Sequence, residues 1–366
     1  MIEEVLRHGP LEDVHRELGA RLGPFGGWLM PIEYEGALAE HRAVRERVGL
    51  FDLSHLGKVD VLGSGALEML QGRLSNDVAR IAVGRAQYNL VLNERGGVEE
   101  DLIVYRLAEE RWFVVPNASN KDMVVEAFRA AARGAEIVDH DTWCFLGVQG
   151  PRSLEVVGAL FAEAADLPFM GCVEVSFDGR PVVLARSGYT GELGFELFAD
   201  GDLARALWDE LLEDGAPFQI EPCGLGARDV VRQEMGYPLH GQDLGPDRTP
   251  LEAGLAWAVA LDKGAFVGAE ALRRKAAEGI PSRLRGLSTE NRRHIPRAHQ
   301  RVLLGNTVVG AVTSGTFSPL LGRGIAMAYL APSDAFEPGS AVEIDIRGRR
   351  APARVVGLPF VERSPR

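Results

Sequence analysis

The sequence predicts an α+β protein whose C-terminal stretch, residues 281–366, is a separate all-β unit. Two observations point there. Up to about residue 280, segments with helical apolar spacing are interspersed with alternating, strand-like runs. After a Pro-, Arg- and Ser-rich stretch at 280–300, the best candidate boundary, short β-type segments follow at 301–304, 307–312, 324–329, 341–346 and 352–356, the pattern of a small sandwich or barrel.

The earlier elements are read in order. Leu11, Val14, Leu18 and Leu22 recur at helical spacing and predict a first helix over 11–22; a second covers 36–48 and ends at Gly49. Residues 51–61 read as a strand region, and 66–74 as a helix stopped by Ser75-Asn76-Asp77. Residues 85–117 read as a three-strand meander, and 120–134 as an amphipathic helix capped by Asn120. Strands and turns dominate 143–150 and 172–198, with 182–185 and 194–198 bracketing the turn Ser187-Gly188-Tyr189-Thr190-Gly191-Glu192. Helices follow at 203–212 and 225–234.

Composition narrows the function classes. The 366 residues are 46% hydrophobic and 25% charged, ordinary globular values that suit two or three domains at roughly 150 residues each. A net charge of −12 argues against nucleic acid as a partner, because neutralising phosphates needs a basic surface. Cys144, Cys172 and Cys223 are too scattered for a disulfide framework or a zinc site and read as core thiols in a reducing compartment. The acidic start Met1-Ile2-Glu3-Glu4-Val5 has no apolar run behind it, so no signal peptide is expected. No stretch reaches the roughly 18–20 apolar residues of a membrane span, so a cytoplasmic protein with no membrane partner is expected.

Several chemistries lack their signatures. The eight histidines are dispersed and no H-E-x-x-H occurs, so no metal site is expected. No G-x-S-x-G elbow or Walker loop is present. Gly224-Leu225-Gly226-Ala227-Arg228-Asp229 has Asp where a dinucleotide loop needs its third glycine. Such a chain suits a reaction whose reactive atoms belong to cofactors, with the protein orienting them.

The most informative stretch runs from Asn93 to Tyr105, where Gly96-Gly97 separates apolar runs at 86–92 and 102–107. On a strand, Asp101, Ile103 and Tyr105 share one face and Leu102 and Val104 take the other. A carboxylate beside a tyrosine at the mouth of an apolar sheet could hold a polar ring and position a proton; the plainer alternative is a solvated strand end.

A set of motifs runs along the chain: Gly26-Gly27-Trp28-Leu29-Met30-Pro31, Phe51-Asp52-Leu53-Ser54-His55-Leu56, the Asp101 stretch and Val148-Gln149-Gly150-Pro151-Arg152. Further along come Gly188-Tyr189-Thr190-Gly191-Glu192-Leu193-Gly194-Phe195-Glu196, the stretch 224–229, Thr249-Pro250-Leu251-Glu252-Ala253-Gly254-Leu255 and Thr313-Ser314-Gly315-Thr316-Phe317-Ser318-Pro319. In kind and in order, over nearly the whole chain, they resemble the glycine cleavage T-protein (aminomethyltransferase) family. The resemblance implies a three-domain cloverleaf: a folate-binding region at 1–280 of two interleaved α+β lobes, with about 52–138 as the inserted second lobe, and a C-terminal β-barrel at 281–366. It implies tetrahydrofolate as cofactor and lipoylated H-protein as aminomethyl carrier, with glycine decarboxylase and dihydrolipoyl dehydrogenase as fellow members of the system. The implied reaction moves the methylene of aminomethyl-dihydrolipoyl H-protein to tetrahydrofolate, giving 5,10-methylenetetrahydrofolate, ammonia and dihydrolipoyl H-protein.

Residue by residue, Asp101 matches the family's key carboxylate near folate N5 and N10, and Glu196 the residue that grips the pterin. Tyr88, Tyr105 and Tyr189 match pocket residues, Asn117 and Arg228 further folate contacts, and Leu56 and Trp257 an apolar contact and a pocket tryptophan. Five of these have a plain alternative: Tyr88, Tyr105 and Trp257 as core, Arg228 bridged to Asp229 or Glu234 on a helix surface, Glu196 as a solvated acid. His55 reads as structural or turn-capping, and Arg292, Arg293 and Arg297 as a solvated loop or a surface for an acidic carrier. The family often has Asp-Asp where this chain has Glu100-Asp101, and the tail 359–366 lacks a tyrosine some members carry. Two further readings share the fold: a folate-dependent demethylase of a small methylated amine, ether or sulfonium, and a non-catalytic folate-binding module. The module's Lys-Gly-Cys-type motif has no cysteine here, where Asp262-Lys263-Gly264-Ala265 stands.

Overall fold

The computed structural model describes residues 5–365; the acidic start Met1–Glu4 and the final Arg366 lie outside them. The chain opens with β1 (Arg7–His8), α1 (Glu12–Glu17), β2 (Arg21–Phe25) and β3 (Trp28–Glu33). α1 is shorter than its apolar spacing suggests. Gly19, at φ +74°, closes it, with Ala20 N–H donating to His15 O and Gly19 N–H to Arg16 O, so Leu22 belongs to β2.

Next come α2 (Ala37–Glu46), β4 (Val48–Asp52) and β5 (Val59–Leu62). Gly49 does not stop the helix; it pairs with Gln149 inside β4, where a Cβ would lie 2.7 Å from Cys223 Sγ and Val44 Cγ2. The expected strand over 51–61 is broken by a loop at 53–58. α3 (Ala66–Arg73), β6 (Arg85–Leu92), β7 (Val98–Ala108) and β8 (Arg111–Val115) agree with the sequence reading, including the meander. α4 (Lys121–Ala131) follows, but Asn120 does not cap it; its side chain donates instead to Glu99 O (3.2 Å) and contacts His240 Nδ1 (3.0 Å).

The middle of the chain forms β9 (Glu136–Asp139), β10 (Cys144–Gln149), α5 (Ser153–Leu160), β11 (Gly171–Phe177), β12 (Arg180–Arg186), β13 (Gly194–Ala199), α6 (Ala204–Gly215), β14 (Ile220–Pro222), α7 (Leu225–Glu234) and α8 (Ala269–Glu278). The last six strands are β15 (Arg283–Thr289), β16 (Arg301–Leu304), β17 (Thr307–Ser318), β18 (Arg323–Leu330), β19 (Ala341–Ile346) and β20 (Arg349–Val356). β15 lies inside the Pro/Arg/Ser-rich stretch that read as a boundary.

β1, β3 and β2 form a small sheet. An eleven-stranded sheet runs β14-β4-β10-β13-β12-β11-β6-β7-β8-β5-β9, and β15-β18-β17-β16-β19-β20 close into a barrel. Along β7 the side chains alternate as the sequence predicts. Leu102 and Val104 enter the core under α3 and α4 with Trp112 and Phe128, while Ile103 and Tyr105 face an aromatic core of Phe51, Phe113, Phe145 and Phe198.

α7 joins the sheet to the barrel. Arg232 donates to Asp243 (2.8 Å) and to Ser314 (3.0 Å) on β17. Glu234 accepts from Arg45 (2.8 Å) on α2 and from Ser318 (2.6 Å) at the end of β17. These partners are buried, so the charges are matched where water cannot screen them. The helix that carries Arg228 is thereby held at both flanks.

Candidate active site

The β6–β7 turn is built by its sequence. Asn93 Oδ1 accepts from Arg95 N–H (3.0 Å) and Gly97 N–H (2.9 Å), and Gly96 takes φ +80°. Gly97 backs onto Pro246, whose carbonyl oxygen would lie 1.8 Å from any Cβ there. Val91 pairs with Glu100 and Leu92 with Val98, so Glu99 is an extra residue that bulges β7 just before Asp101.

Asp101 faces Leu90, and Tyr88 faces Ile103. Tyr88 and Asp101 are therefore diagonal cross-strand neighbours. The Tyr88 O–H donates to Asp101 Oδ2 (2.9 Å), and Asn117 Nδ2 donates to Asp101 Oδ1 (3.0 Å) and to its backbone oxygen (3.1 Å). Burial raises the Asp101 pKa; Tyr88, His240 and Asn117 pull it back. The solvated strand end is not what forms.

Glu196 sits on β13 between Gly147 and Ala185. The Tyr105 O–H donates to Glu196 Oε2 (2.9 Å) and the Ser187 O–H donates to the same oxygen, while Oε1 receives neither. Burial raises the Glu196 pKa, against lowering by Ser187, Arg228 and Tyr105. Tyr105 lies four residues beyond Asp101 on β7, roughly 13 Å of backbone by strand rise, and the face between Asp101 and the Glu196 that Tyr105 holds is the candidate slot.

Tyr189 and Arg228 complete the slot. The Arg228 guanidinium carbon lies 4.8 Å from the Tyr189 ring centroid, and that ring stacks on Tyr237 at 5.6 Å. The expected surface bridge for Arg228 is absent. Asp229 pairs with Arg232 (2.8 Å) and Glu234 with His41 and Arg45, leaving Arg228 without an ion pair among the described residues. Burial lowers the Arg228 pKa, with Tyr189 and Glu196 opposing it. Asp101, Tyr88, Tyr189 and Arg228 keep intermediate exposure although protein crowds around them, as side chains lining a narrow cleft do.

Trp257 is 65% exposed, which rules out core packing; its ring lies 5.3 Å from Tyr88 at 32°. Leu56, half-buried, lies in the loop at 53–58 and packs on the aromatic core. Tyr105 is both core and site, 1% exposed with its hydroxyl on Glu196. His55 is buried and held neutral, its pKa pushed down to about 3 by burial and by Arg228. Its neighbour Ser54 donates to Asp52 (2.5 Å) rather than to the imidazole.

Sequence reasoning did not nominate Ser187, Gln149, Glu100, Asn120 or His240 as site residues. Gln149 donates to Ser187 O (3.1 Å) and accepts from Thr190 (2.9 Å). A Cβ on Gly188 or Gly194 would lie 2.1 or 2.2 Å from its Oε1. The glycines of that motif are spaced around one buried amide, a signal visible once Gln149 is known to be their partner. A cavity of about 740 Å³ opens elsewhere, between Arg248 and the barrel wall at Val309, Val312 and Tyr329; it includes none of the nominated residues.

The comparisons agree with this geometry. The model of the GCVT N-terminal domain matches residues 11–263, and that of the glycine cleavage T-protein C-terminal barrel domain matches 283–362. The sheet and the closed barrel are thus those of a protein of the T-protein class. An aminomethyltransferase of Frankia alni is 49% identical over 366 residues, 99% of each chain. One of Mycobacterium tuberculosis is 46% identical over 358 residues, 97% of each chain. The crystal structure of glycine cleavage system aminomethyltransferase T from Bartonella henselae matches at a TM-score of 0.92 and 36% identity, over 98% of this chain and 99% of that one. The chain belongs to the glycine cleavage T-protein family of aminomethyltransferases.

Proposed function

We propose that this protein transfers the methylene of aminomethyl-dihydrolipoyl H-protein to tetrahydrofolate, producing 5,10-methylenetetrahydrofolate, ammonia and dihydrolipoyl H-protein. The observation that carries this reading is the pair Asp101 and Glu196 at two ends of one slot, each already holding donors that fix its orientation. When bound, reduced folate supplies the nitrogens that take up the one-carbon unit.

The chain's own residues do the rest. Tyr105 and Ser187 turn Glu196 so that Oε1 is open to a pair of N–H donors from an aminopyrimidinone edge, a charge-assisted contact. Asp101, fixed by Tyr88 and Asn117, places negative charge where positive charge develops and guides the proton of the leaving amine. Arg228, half-buried without an ion pair among the described residues and lying over Tyr189 near Glu196, offers its free N–H donors to the folate. Tyr88, Tyr189 and Trp257 offer ring faces, and Leu56 and Asn117 the flanking contacts.

Within this proposal the folate-binding region is 1–280, with about 52–138 as an inserted lobe, and 281–366 is the barrel. The supporting observation is the strand order: β6, β7, β8, β5 and β9 lie together at one end of the large sheet. Glycine decarboxylase and dihydrolipoyl dehydrogenase are the proposed fellow members, and three buried free thiols suit a reducing, cytoplasmic setting.

The test is direct. Purified protein is given tetrahydrofolate with aminomethylated H-protein, or with free methylated amines, ethers or sulfonium compounds, and methylenetetrahydrofolate is followed. Turnover with H-protein is expected. Turnover with small methyl donors alone would reject this reading in favour of the demethylase.

A further inference from the structure

Asp101 has a neighbour that the mechanism above does not use. Glu100 is 0% exposed, and its Oε1 accepts from the Asn117 backbone N–H (3.1 Å) and from Asn117 Nδ2. Its Oε2 is buried with no hydrogen-bond partner, and Glu100 has no ion pair among the described residues. Lys121, four residues past Asn117, is committed to Asp122, Asp139 and Asp141 at 2.5–3.0 Å.

Both carboxyls compete for one amide. Asn117 Nδ2 lies within hydrogen-bond distance of Glu100 Oε1, Asp101 Oδ1 and Asp101 O. Two adjacent buried carboxylates without a cation cannot both ionise easily, so one proton is retained between them. The donor sets decide where it stays. Each Asp101 oxygen has a donor, whereas Glu100 Oε2 has none, and donors favour the charged form. An ionised, unpartnered oxygen at Glu100 would be far costlier than a neutral one. The other titratable groups facing the pair are Tyr88 on β6 and His240 in the loop after α7. His240 Nε2–H donates to Val98 O (3.2 Å) and its Nδ1 faces Asn120 Nδ2 (3.0 Å).

We propose that Glu100 is a positioning residue which stays neutral at physiological pH and so leaves Asp101 as the single negative charge of the pair, with Asn117 aimed at it. This rests on the reading of Asp101 as the charged group beside reduced folate. Burial and the Asp101 charge, against lowering by Asn117 and Asn120, hold the Glu100 proton up to about pH 8. Above that, a second negative charge enters beside Asp101, draws Asn117 away from it, and the rate falls.

The experiment compares wild type, Glu100→Gln and Asp101→Asn in the full chain, by pH–rate profile and by infrared spectroscopy of the carboxyl region. Three results are expected. A neutral carboxylic-acid band is present at pH 7 in wild type and absent in Glu100→Gln, and in Asp101→Asn it titrates at lower pH than in wild type because the like charge is gone. The acid limb of the wild-type rate profile stays in place in Glu100→Gln. The alkaline limb near pH 8 disappears. A downward shift of the acid limb in Glu100→Gln would overturn the proposal, because removing a like charge lowers the remaining pKa. Absence of the neutral band from wild type at pH 7 would overturn it as well. If Glu100→Gln does not fold, the wild-type band and its loss above about pH 8 decide alone. If Asp101→Asn turns over at the wild-type rate, the reading of Asp101 fails, whatever the band shows about Glu100.

Discussion

At the scale of single residues, the site is two carboxylates whose surroundings differ. Asp101 has one donor per oxygen, and Glu196 has two donors on one oxygen and none of them on the other. The first arrangement suits a fixed charge, the second a grip. Asp101→Asn is expected to keep the fold and folate affinity while lowering kcat by roughly 10²–10⁴-fold, the range of a positioned acid–base group; steady-state kinetics and folate titration separate the two effects. Glu196→Gln keeps the donors' partner but loses the charge. Hydrogen bonds to charged groups contribute about 1.5–3 kcal/mol, so folate affinity should fall roughly 10–100-fold with a smaller effect on kcat. A calorimetric titration that finds affinity unchanged would remove Glu196 from the pterin edge. Both carboxylates were legible from their motifs. Ser187 and Gln149 stood in the quoted motifs too, but their work is with side chains far along the chain or on a neighbouring strand, which no spacing rule reveals.

At the scale of elements, the β6–β7 hairpin and the turn before β13 carry the site. The hairpin was readable because a Gly-Gly turn between apolar runs has a local cause. Its bulge at Glu99 was not, since a bulge depends on which residue of the partner strand lies opposite. Gly97→Ala would force a Cβ to within 1.8 Å of Pro246 O. Overpacking of this kind typically costs about 1–3 kcal/mol. Since the turn sets where β7 begins, both thermal stability and kcat should fall, whereas Gly72→Ala, with open space around its Cβ position, should leave kcat near wild type. Equal kcat in wild type and Gly97→Ala would show that the turn does not position Asp101. The elements missed by sequence reading, β1 to β3, β9, β14, β15, α5 and α8, are short or lack a clean period. The overlong α1 and the supposed caps at Gly49 and Asn120 failed where tertiary contacts overrode local preference.

At the scale of the whole molecule, α7 couples the barrel to the site. Arg232 and Asp243 form a buried ion pair that also reaches Ser314 and Thr313 of β17. Removing one partner of a buried pair leaves an uncompensated charge and costs about 3–5 kcal/mol. Asp243→Ala should therefore lower the melting temperature markedly. It should also weaken folate binding, because Arg228 lies one helical turn from Arg232 on α7. Loss of stability with unchanged folate affinity in the surviving folded protein would show that the barrel attachment and the slot are independent.

The sequence alone determined what depends on near neighbours and on order along the chain: the meander, the alternation that sends Leu102 and Val104 one way and Tyr105 the other, the barrel segments, and the motif residues of the family. Only the tertiary structure decided which of those residues meet. Asp101 and Glu196 lie 95 positions apart, and β6, β11 and β12 separate their strands in the sheet; it is the reach of Tyr105 from β7 to Glu196 on β13 that joins them in one site. The protonation of Glu100 was decided the same way, because a carboxyl's charge is set by burial and by which donors reach it, and neither can be read from the residues beside it in the chain.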